Sequence, residues 1–172
     1  MSEVSETAGS VNDVGKVALG GKYLTFVLGD EIYGVEILKV QEIIGIMKVT
    51  HVPRMPGFVR GVINLRGKII PVIELRSKFG LESKEDSEKT CIIVVQIAYK
   101  DQTITMGVLV DEVSEVLEIE ASSIEPPPSF GATINIDFIM GLGKVGEKVI
   151  MLLDVDSVLT SGELSTISQD AK

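Results

Sequence analysis

The residues that could support catalysis or bind a metal are few and widely spaced. His51 is the only histidine among the 172 residues, so it would have to act alone as a base or a ligand. Cys91 has no second thiol to complete a metal site, and its apolar surroundings favour a buried small side chain. Asp111 and Glu112 are adjacent, and adjacent residues of a strand point to opposite faces. They are therefore not placed as an acid–base pair.

Two further groups are weak candidates for chemistry. Asp154 and Asp156 would share one face of a strand, but at its end, before a short helix, they are expected to act as caps. The stretch GLGKVGEK, residues 141–148, is rich in glycine but lacks the spacing of a phosphate-binding loop. The sequence therefore predicts a protein without catalytic activity, metal or cofactor.

A more informative group is the arginine within GVINLRGKIIPVIELR, residues 61–76. Two apolar runs are joined there by a short polar turn that contains Arg66. A hairpin needs a turn at this place, but the turn does not need an arginine. Arg66 is either a solvated side chain, a local partner of Glu74 or Glu42, or a guanidinium presented to another protein. The sequence leaves these alternatives open.

Composition indicates which elements position these residues. Hydrophobic residues make up 45% of the chain, whereas aromatic residues make up 5% and tryptophan is absent. The core must therefore be built from Val, Ile and Leu, and the β-branched residues favour strands. The net charge of −9 argues against a nucleic-acid partner, because such a surface must neutralise phosphates. Direct membrane insertion is not expected, because no apolar run approaches the ~20 residues of a spanning helix.

The N-terminal stretch MSEVSETAGS lacks the basic and apolar regions of a signal peptide. With a single cysteine in the chain, we expect a cytoplasmic, reduced protein. Residues 1–20 and 161–172 are polar and without sustained period, so we predict a disordered N-terminal tail and a flexible C-terminal tail.

Between these tails lie many short, β-branched segments bounded by Gly, Pro or Asp, which predict an all-β fold. KVTHVP, residues 48–53, is one of the predicted strands. KVQEII, residues 39–44, is compatible with a strand or a helix. Short helices are predicted at LRSKFG, residues 75–80, and at VDSVLTSG, residues 155–162.

The chain also contains an internal repeat. Residues 33–53 align with residues 106–126, and residues 58–79 align with residues 138–159, in the same order. Glycines coincide at Gly34 and Gly107, and at Gly61 and Gly141. We infer a duplication with repeat cores at approximately 33–80 and 106–159, each half forming a small barrel beside a shared buried seam.

The segment 61–76, with LGDEIYGVEILKVQEI before it and MGVLVDEVSEVL after it, resembles the CheW-like domain family of bacterial chemotaxis. The resemblance extends from about Lys22 to Leu159, and one departure is Glu74, where family members often have Asp. It implies two five-stranded, SH3-like β-barrels in a pseudo-symmetric arrangement, with residues 21–160 forming the domain.

The resemblance also implies a scaffold without cofactors, which is recruited from the cytoplasm to membrane receptor arrays. Its expected partners are the cytoplasmic tip of chemoreceptors and the regulatory domain of the chemotaxis histidine kinase. The implied receptor-binding residues are Ile43, Gly61, Arg66 and Val116. The implied kinase-binding residues are Val40, Glu42 and Phe130, the last at a ring-forming contact.

Other interpretations of these residues stay open at this point. Val40, Ile43 and Val116 are β-branched strand residues, which are usually found in the core. Gly61 coincides with Gly141, so a backbone requirement could explain it. Phe130 follows three prolines and either caps a barrel or anchors a partner. The alternative functions are an interaction module of another signalling array, or a small-ligand-binding barrel or hydrolase.

Overall fold

A computed structural model describes residues 20–127, 138–159 and 163 of the chain. Within these residues the chain forms eleven β-strands, one short α-helix and three 3₁₀ helices. The strands are β1 (Gly21–Leu28), β2 (Glu31–Glu36), β3 (Val40–Gly45), β4 (Val59–Leu65), β5 (Lys68–Glu74), β6 (Cys91–Tyr99), β7 (Gln102–Val110), β8 (Glu112–Ile119), β9 (Ile124–Glu125), β10 (Ile139–Val145) and β11 (Lys148–Leu153). The helices are α1 (Leu75–Lys78) and the 3₁₀ segments Ile37–Lys39, Ala121–Ser123 and Val155–Ser157.

The strands form two mixed sheets, which confirms the predicted all-β fold. One sheet has six strands in the order β8-β1-β2-β11-β10-β9, and the other has five in the order β3-β6-β7-β5-β4. The hydrogen-bonded order is open in both sheets, and the additional strand β9 has only two residues. The architecture is therefore a pair of small open sheets of six and five strands, where the sequence predicted two five-stranded barrels.

Both sheets are assembled from the two halves of the chain. Five strands of the six-stranded sheet repeat the order of the five-stranded sheet, with β1 and β2 equivalent to β6 and β7. The third strand of each half crosses to the other sheet, since β3 pairs with β6 and β8 pairs with β1. The hairpins β4–β5 and β10–β11 are also exchanged, because β5 pairs with β7 and β11 pairs with β2. The repeat in the sequence thus appears as two equivalent but interleaved sheets.

The coincident glycines Gly34 and Gly107 are explained by these pairings. Gly34 pairs with Leu152 and Gly107 pairs with Val72, in equivalent parallel ladders. A Cβ atom on Gly107 would lie 2.6 Å from Ile92 Cγ2, and one on Gly34 would lie 3.1 Å from Leu152 Cδ2. The side chains of the facing residues occupy the space above both glycines, so the interior favours glycine there.

Among the described residues, the core consists of three clusters, as expected for two sheets that share a seam. A central cluster contains residues of both sheets, such as Phe26, Val35, Ile93 and Val108. A second cluster belongs to the six-stranded sheet, and a third belongs to the five-stranded sheet. The central cluster encloses a void of about 20 Å³, roughly the space of one water molecule and far below a ligand pocket.

Several local predictions can be compared with the structure. The ambiguous KVQEII is mainly strand β3, and short helices occur at α1 and at Val155–Ser157 as predicted. The predicted cap at Asp154 is confirmed, because its side chain accepts a hydrogen bond from Asp156 N. The strand predicted at residues 48–53 is wrong: only Thr50 pairs there, in a single bridge to Val62. Pro53 has no backbone N–H to donate to a neighbouring strand, which disfavours a strand at the end of this segment.

Some predictions fall largely on residues outside the described ranges. Of the tail 1–20, only Gly20 is described, and of the tail 161–172, only Glu163. Phe130 also lies outside the described residues. None of the helices in the described part of the chain is long and apolar enough to cross a membrane.

Candidate partner-binding surface

Strand β3 presents an exposed apolar residue at the edge of the five-stranded sheet. A β-bulge at Gln41 separates Val40 from Glu42, so the strand alternates in an altered register beyond that point. Val40 is partly buried against the central core, whereas Ile43 is 43% exposed. Val40 therefore packs against the core without being fully buried, and the expectation of a core position is wrong for Ile43.

Arg66 lies at the tip of the β4–β5 hairpin in a left-handed backbone conformation. Its φ angle is 53° and that of Gly67 is 88°, the pattern of a type I′ turn. In the equivalent hairpin Gly146 has a φ angle of 62°, and the residue after it is outside the positive range. Arg66 therefore occupies a position where the other half of the chain uses glycine, and the turn itself does not explain the arginine.

The guanidinium of Arg66 pairs with a residue of β3. Arg66 Nη2 donates to Glu42 Oε2, which links the hairpin tip to the edge strand. The alternative partner Glu74 instead accepts a hydrogen bond from Arg60 Nη1 at 3.1 Å. The Arg66 side chain is 67% exposed, so donors of its five-donor fork remain accessible to a partner. Arg66 therefore has a partner within the protein, yet its guanidinium remains accessible at the surface.

Gly61 is buried, and its requirement for glycine is steric. It lies at a bulge between β4 and β5 with a φ angle of 148°. A Cβ atom there would lie 2.1 Å from Thr50 O, because Thr50 and Val62 exchange two hydrogen bonds of 2.8 Å. The fold therefore requires glycine at position 61, and this buried residue presents no side chain at the surface.

Val116 lies on the other sheet. It belongs to β8, is 47% exposed and pairs with Leu24. Ile43 pairs with Ile93 at the equivalent place of the five-stranded sheet. The structure therefore places Ile43, Gly61 and Arg66 on one sheet and Val116 on the other, where Val116 is the counterpart of Ile43.

Several exposed apolar residues were not predicted from the sequence, among them Leu38, Ile69 and Val149. Leu38 is 94% exposed in the 3₁₀ helix before β3, beside a surface groove that Tyr23 and Ile37 also line. Ile69 and Val149 are 48% and 51% exposed at equivalent places in the two hairpins. The repeat aligns Leu38 with Asp111, whose side chain is largely buried, so the repeat gave no signal of this exposure.

A largely buried ion pair stabilises the region next to β8. Arg76 Nε and Nη2 donate to the two carboxylate oxygens of Asp111 at 2.8 Å each, and Gly29 N donates to the same carboxylate at 2.9 Å. Burial acts to raise the pKa of Asp111, but these hydrogen bonds and the charges of Arg76 and Lys84 outweigh it and lower the pKa. The hydrogen bonds that Arg76 donates to Asp111 likewise raise the pKa of Arg76 against the effect of burial. The carboxylate is thus held in its ionised form.

The residues first considered for chemistry are not gathered into a site. His51 is exposed, and the thiol of Cys91 donates to Lys89 O at 3.3 Å. Over residues 20–127, 138–159 and 163, no group of three or more His, Cys, Asp or Glu side chains is arranged to hold a metal ion.

The sequence matches the model of the CheW-like domain over residues 22–163. The chain belongs to the CheW-like domain family. The family predicted from the segment 61–76 and its flanks is therefore confirmed.

Similar proteins extend this result over nearly the whole chain. A chemotaxis protein CheW of Klebsiella aerogenes is 38% identical over 172 residues, covering 100% of this chain and 97% of that protein. A chemotaxis protein CheW of Rhizobium meliloti is 33% identical over 144 residues, covering 84% of this chain and 90% of that protein.

A solved structure shows the same CheW-like fold. The crystal structure of the scaffolding protein TtCheW from Thermoanaerobacter tengcongensis superposes with a TM-score of 0.74 at 37% identity, covering 84% of this chain and 97% of that one. The predicted role of a scaffold in chemotaxis is supported by these similarities.

Proposed function

We propose that this protein is a chemotaxis adaptor that links the cytoplasmic tips of chemoreceptors to the regulatory domain of the histidine kinase. It performs no catalysis and is recruited to receptor arrays from the cytoplasm. The observation that carries the proposal is the similarity to chemotaxis proteins CheW over the full length of the chain, together with the family match at residues 22–163.

The receptor site is assigned to Ile43, Arg66 and Val116, with Gly61 beneath it. Ile43 and Val116 are exposed apolar strand residues, which suit contact with an apolar stripe of a receptor helix. Arg66 supplies exposed, forked donors that suit carboxylates or backbone carbonyls on such a helix. An apolar contact with a charged rim is the usual arrangement of a protein interface.

The kinase site is assigned to Val40 and Glu42 on β3, with Phe130 at a second contact that closes a ring of alternating proteins. Glu42 is less exposed than Arg66, at 24%, and their ion pair connects the kinase site to the receptor site. One consequence is that both partners contact neighbouring residues of the five-stranded sheet, while Val116 adds a receptor contact on the other sheet.

Isothermal titration calorimetry with a receptor hairpin fragment and the isolated kinase regulatory domain tests this proposal. Ile43→Ser and Val116→Ser are expected to weaken receptor binding by about tenfold, which corresponds to the loss of one well-packed apolar contact. Matched controls are Ile69→Ser and Val149→Ser, since these residues are similarly exposed and lie outside the assigned sites. Absence of binding to both partners by the unaltered protein would contradict the adaptor function.

A further inference from the structure

The chain passes from one sheet to the other at two crossings between consecutive strands, and an ion pair holds each crossing. The first crossing is the 3₁₀ helix Ile37–Lys39 between β2 and β3, and the second is Asp111 between β7 and β8. Lys39 Nζ donates to Asp156 Oδ2 at 2.8 Å, and Arg76 Nη2 donates to Asp111 Oδ2 at 2.8 Å. Asp156 and Arg76 are equivalent in the repeat, just after β11 and β5. The partners after β11 and β5 are therefore equivalent, whereas the crossing residues are offset by one position, because Asp111 aligns with Leu38, the neighbour of Lys39.

A backbone hydrogen bond also recurs at both crossings. Gly29 N donates to Asp111 Oδ2 at 2.9 Å, and Ala98 N donates to Asp156 Oδ1 at 2.9 Å. Gly29 and Ala98 lie at the ends of the equivalent strands β1 and β6. The positions of the acidic and basic residues are reversed between the two pairs. At the second crossing the carboxylate belongs to the crossing residue, Asp111, whereas at the first it belongs to Asp156, in the segment after β11.

The two ion pairs differ in their exposure to solvent. The side chains of Arg76 and Asp111 are 18% and 10% exposed, whereas those of Lys39 and Asp156 are 30% and 31% exposed. A partly exposed pair contributes little to the overall free energy of unfolding. Loss of the Lys39–Asp156 pair is therefore expected to loosen the crossing locally and to leave the fold intact.

The position of β3, which follows Lys39, is expected to depend more on the ion pair at its crossing than the position of β8 does. In β8 the bulge is held by the buried hydroxyl of Thr25, which donates to Glu115 O at 2.7 Å and accepts from Glu115 N at 3.1 Å. At the equivalent place opposite β3 the residue is Val94, which has no hydroxyl. An exposed hydrogen bond of 3.0 Å from Gln96 to Gln41 is found at that bulge instead.

We propose that Asp156 is a positioning residue for partner binding: through Lys39 it fixes the start of β3, and with it the places of Val40 and Glu42. Val40 follows Lys39 directly and Glu42 comes next after the bulge, so a displacement of the crossing is passed to both. This inference rests on the proposed function, which assigns Val40 and Glu42 to the kinase. Asp156 itself need not touch the kinase.

The test uses Asp156→Asn, which keeps an oxygen for Ala98 N but removes the charge that holds Lys39. Asp156→Asn and Lys39→Gln are each expected to weaken binding to the kinase regulatory domain about threefold to fivefold, the size of one partly exposed ion pair. The double variant should lose no more than either single variant, because both remove the same interaction. Lys39→Arg should retain binding. Receptor affinity should fall less than kinase affinity in the other three variants, because Ile43 is the only receptor-site residue on β3 and lies farther from Lys39 than Val40 and Glu42 do.

Glu112→Gln provides the matched control, because Glu112 occupies the place of Lys39 at the other crossing and is exposed. It should leave kinase affinity unchanged. Unaltered kinase binding in Asp156→Asn would overturn the proposal, as would a joint loss of kinase and receptor binding with a lowered melting temperature.

Amide hydrogen exchange separates this proposal from the proposed function. In Asp156→Asn, exchange should become faster in β3 and stay unchanged in β8. Equal exchange in β3 of the variant and the unaltered protein would rule out the positioning role. Failure of the unaltered protein to bind the kinase domain would instead contradict the proposed function.

Discussion

At the scale of single residues, Arg66 combines an exposed charge with a backbone conformation that glycine adopts more easily. We predict that Arg66→Ala leaves the melting temperature near that of the unaltered protein, because an exposed turn substitution usually changes stability by less than about 0.5 kcal/mol. Receptor affinity should fall by about thirtyfold, as for an interface arginine worth ~2 kcal/mol. Arg66→Lys should recover only part of it, since an ammonium lacks the forked donors.

Arg66→Gly is the informative control for this prediction. It removes the strain of the positive φ angle, so it should fold at least as well as the unaltered protein while losing the same receptor affinity. If Arg66→Ala unfolds the protein, the arginine is structural. If receptor affinity is unchanged in both variants, Arg66 is an ordinary solvated residue with a local partner.

Gly61 gives a contrasting prediction. We predict that Gly61→Ala destabilises the fold by roughly 3 kcal/mol or more, because its Cβ would overlap the carbonyl of Thr50. Gly146→Ala is the control: Gly146 also has a positive φ angle, but no atom lies within 4 Å of its Cβ position. Its cost should be about 1 kcal/mol, from the left-handed conformation alone.

Urea denaturation of both variants measures this difference. Similar losses in the two variants would show that the backbone between β4 and Thr50 adjusts readily, which the close approach at Gly61 argues against. The comparison also matters for function. If Gly61→Ala is strongly destabilised as predicted, a weaker receptor affinity of this variant would reflect unfolding.

At the scale of elements, the equivalence of strands could be predicted from the sequence, whereas their exchange could not. Coincident glycines such as Gly34 and Gly107 align because equivalent parallel ladders need them. Alternation along KVQEII, by contrast, does not say which strand β3 will pair with, because hydrogen bonds between strands are long-range and carry no local signature. The exposure of Ile69 and Val149 was missed for the same reason: it depends on where each strand lies in a sheet.

The Arg76–Asp111 ion pair at the start of β8 predicts that the stability of the fold depends on pH. Since the folded state lowers the pKa of Asp111 below its ordinary 3.8, the ionised carboxylate stabilises the fold above that pH. This stability is lost as the pH falls through the lowered pKa. We predict that Asp111→Asn costs about 2–4 kcal/mol at neutral pH, because Arg76 is left largely buried without a counter-charge.

Denaturation of Asp111→Asn between pH 2 and pH 7 checks this prediction, in the range where ordinary carboxylates titrate. The variant should show a flatter dependence below about pH 4 than the unaltered protein. Parallel curves for the two proteins would indicate that the carboxylate does not carry this dependence.

At the scale of the whole molecule, the proposed domain comprises residues 21–160, flanked by tails that lack the apolar period needed to offset the entropy of ordering. We predict that deletion of residues 1–18 leaves the free energy of unfolding and kinase binding unchanged. A loss of more than about 1 kcal/mol, a large effect for a surface change, would contradict the assigned boundary. Chemical denaturation and calorimetric titration measure the two quantities.

The exchange of strands between the two sheets has a consequence for how an adaptor can fail. Neither sheet contains its own complete half of the chain, because each needs β3 or β8 and a hairpin from the other half. Melting of one sheet therefore removes strands from the other, and we expect a single cooperative transition with equal calorimetric and van't Hoff enthalpies. Under the proposed function, an unfolded copy would release receptor and kinase together, so it would not occupy a receptor without binding a kinase.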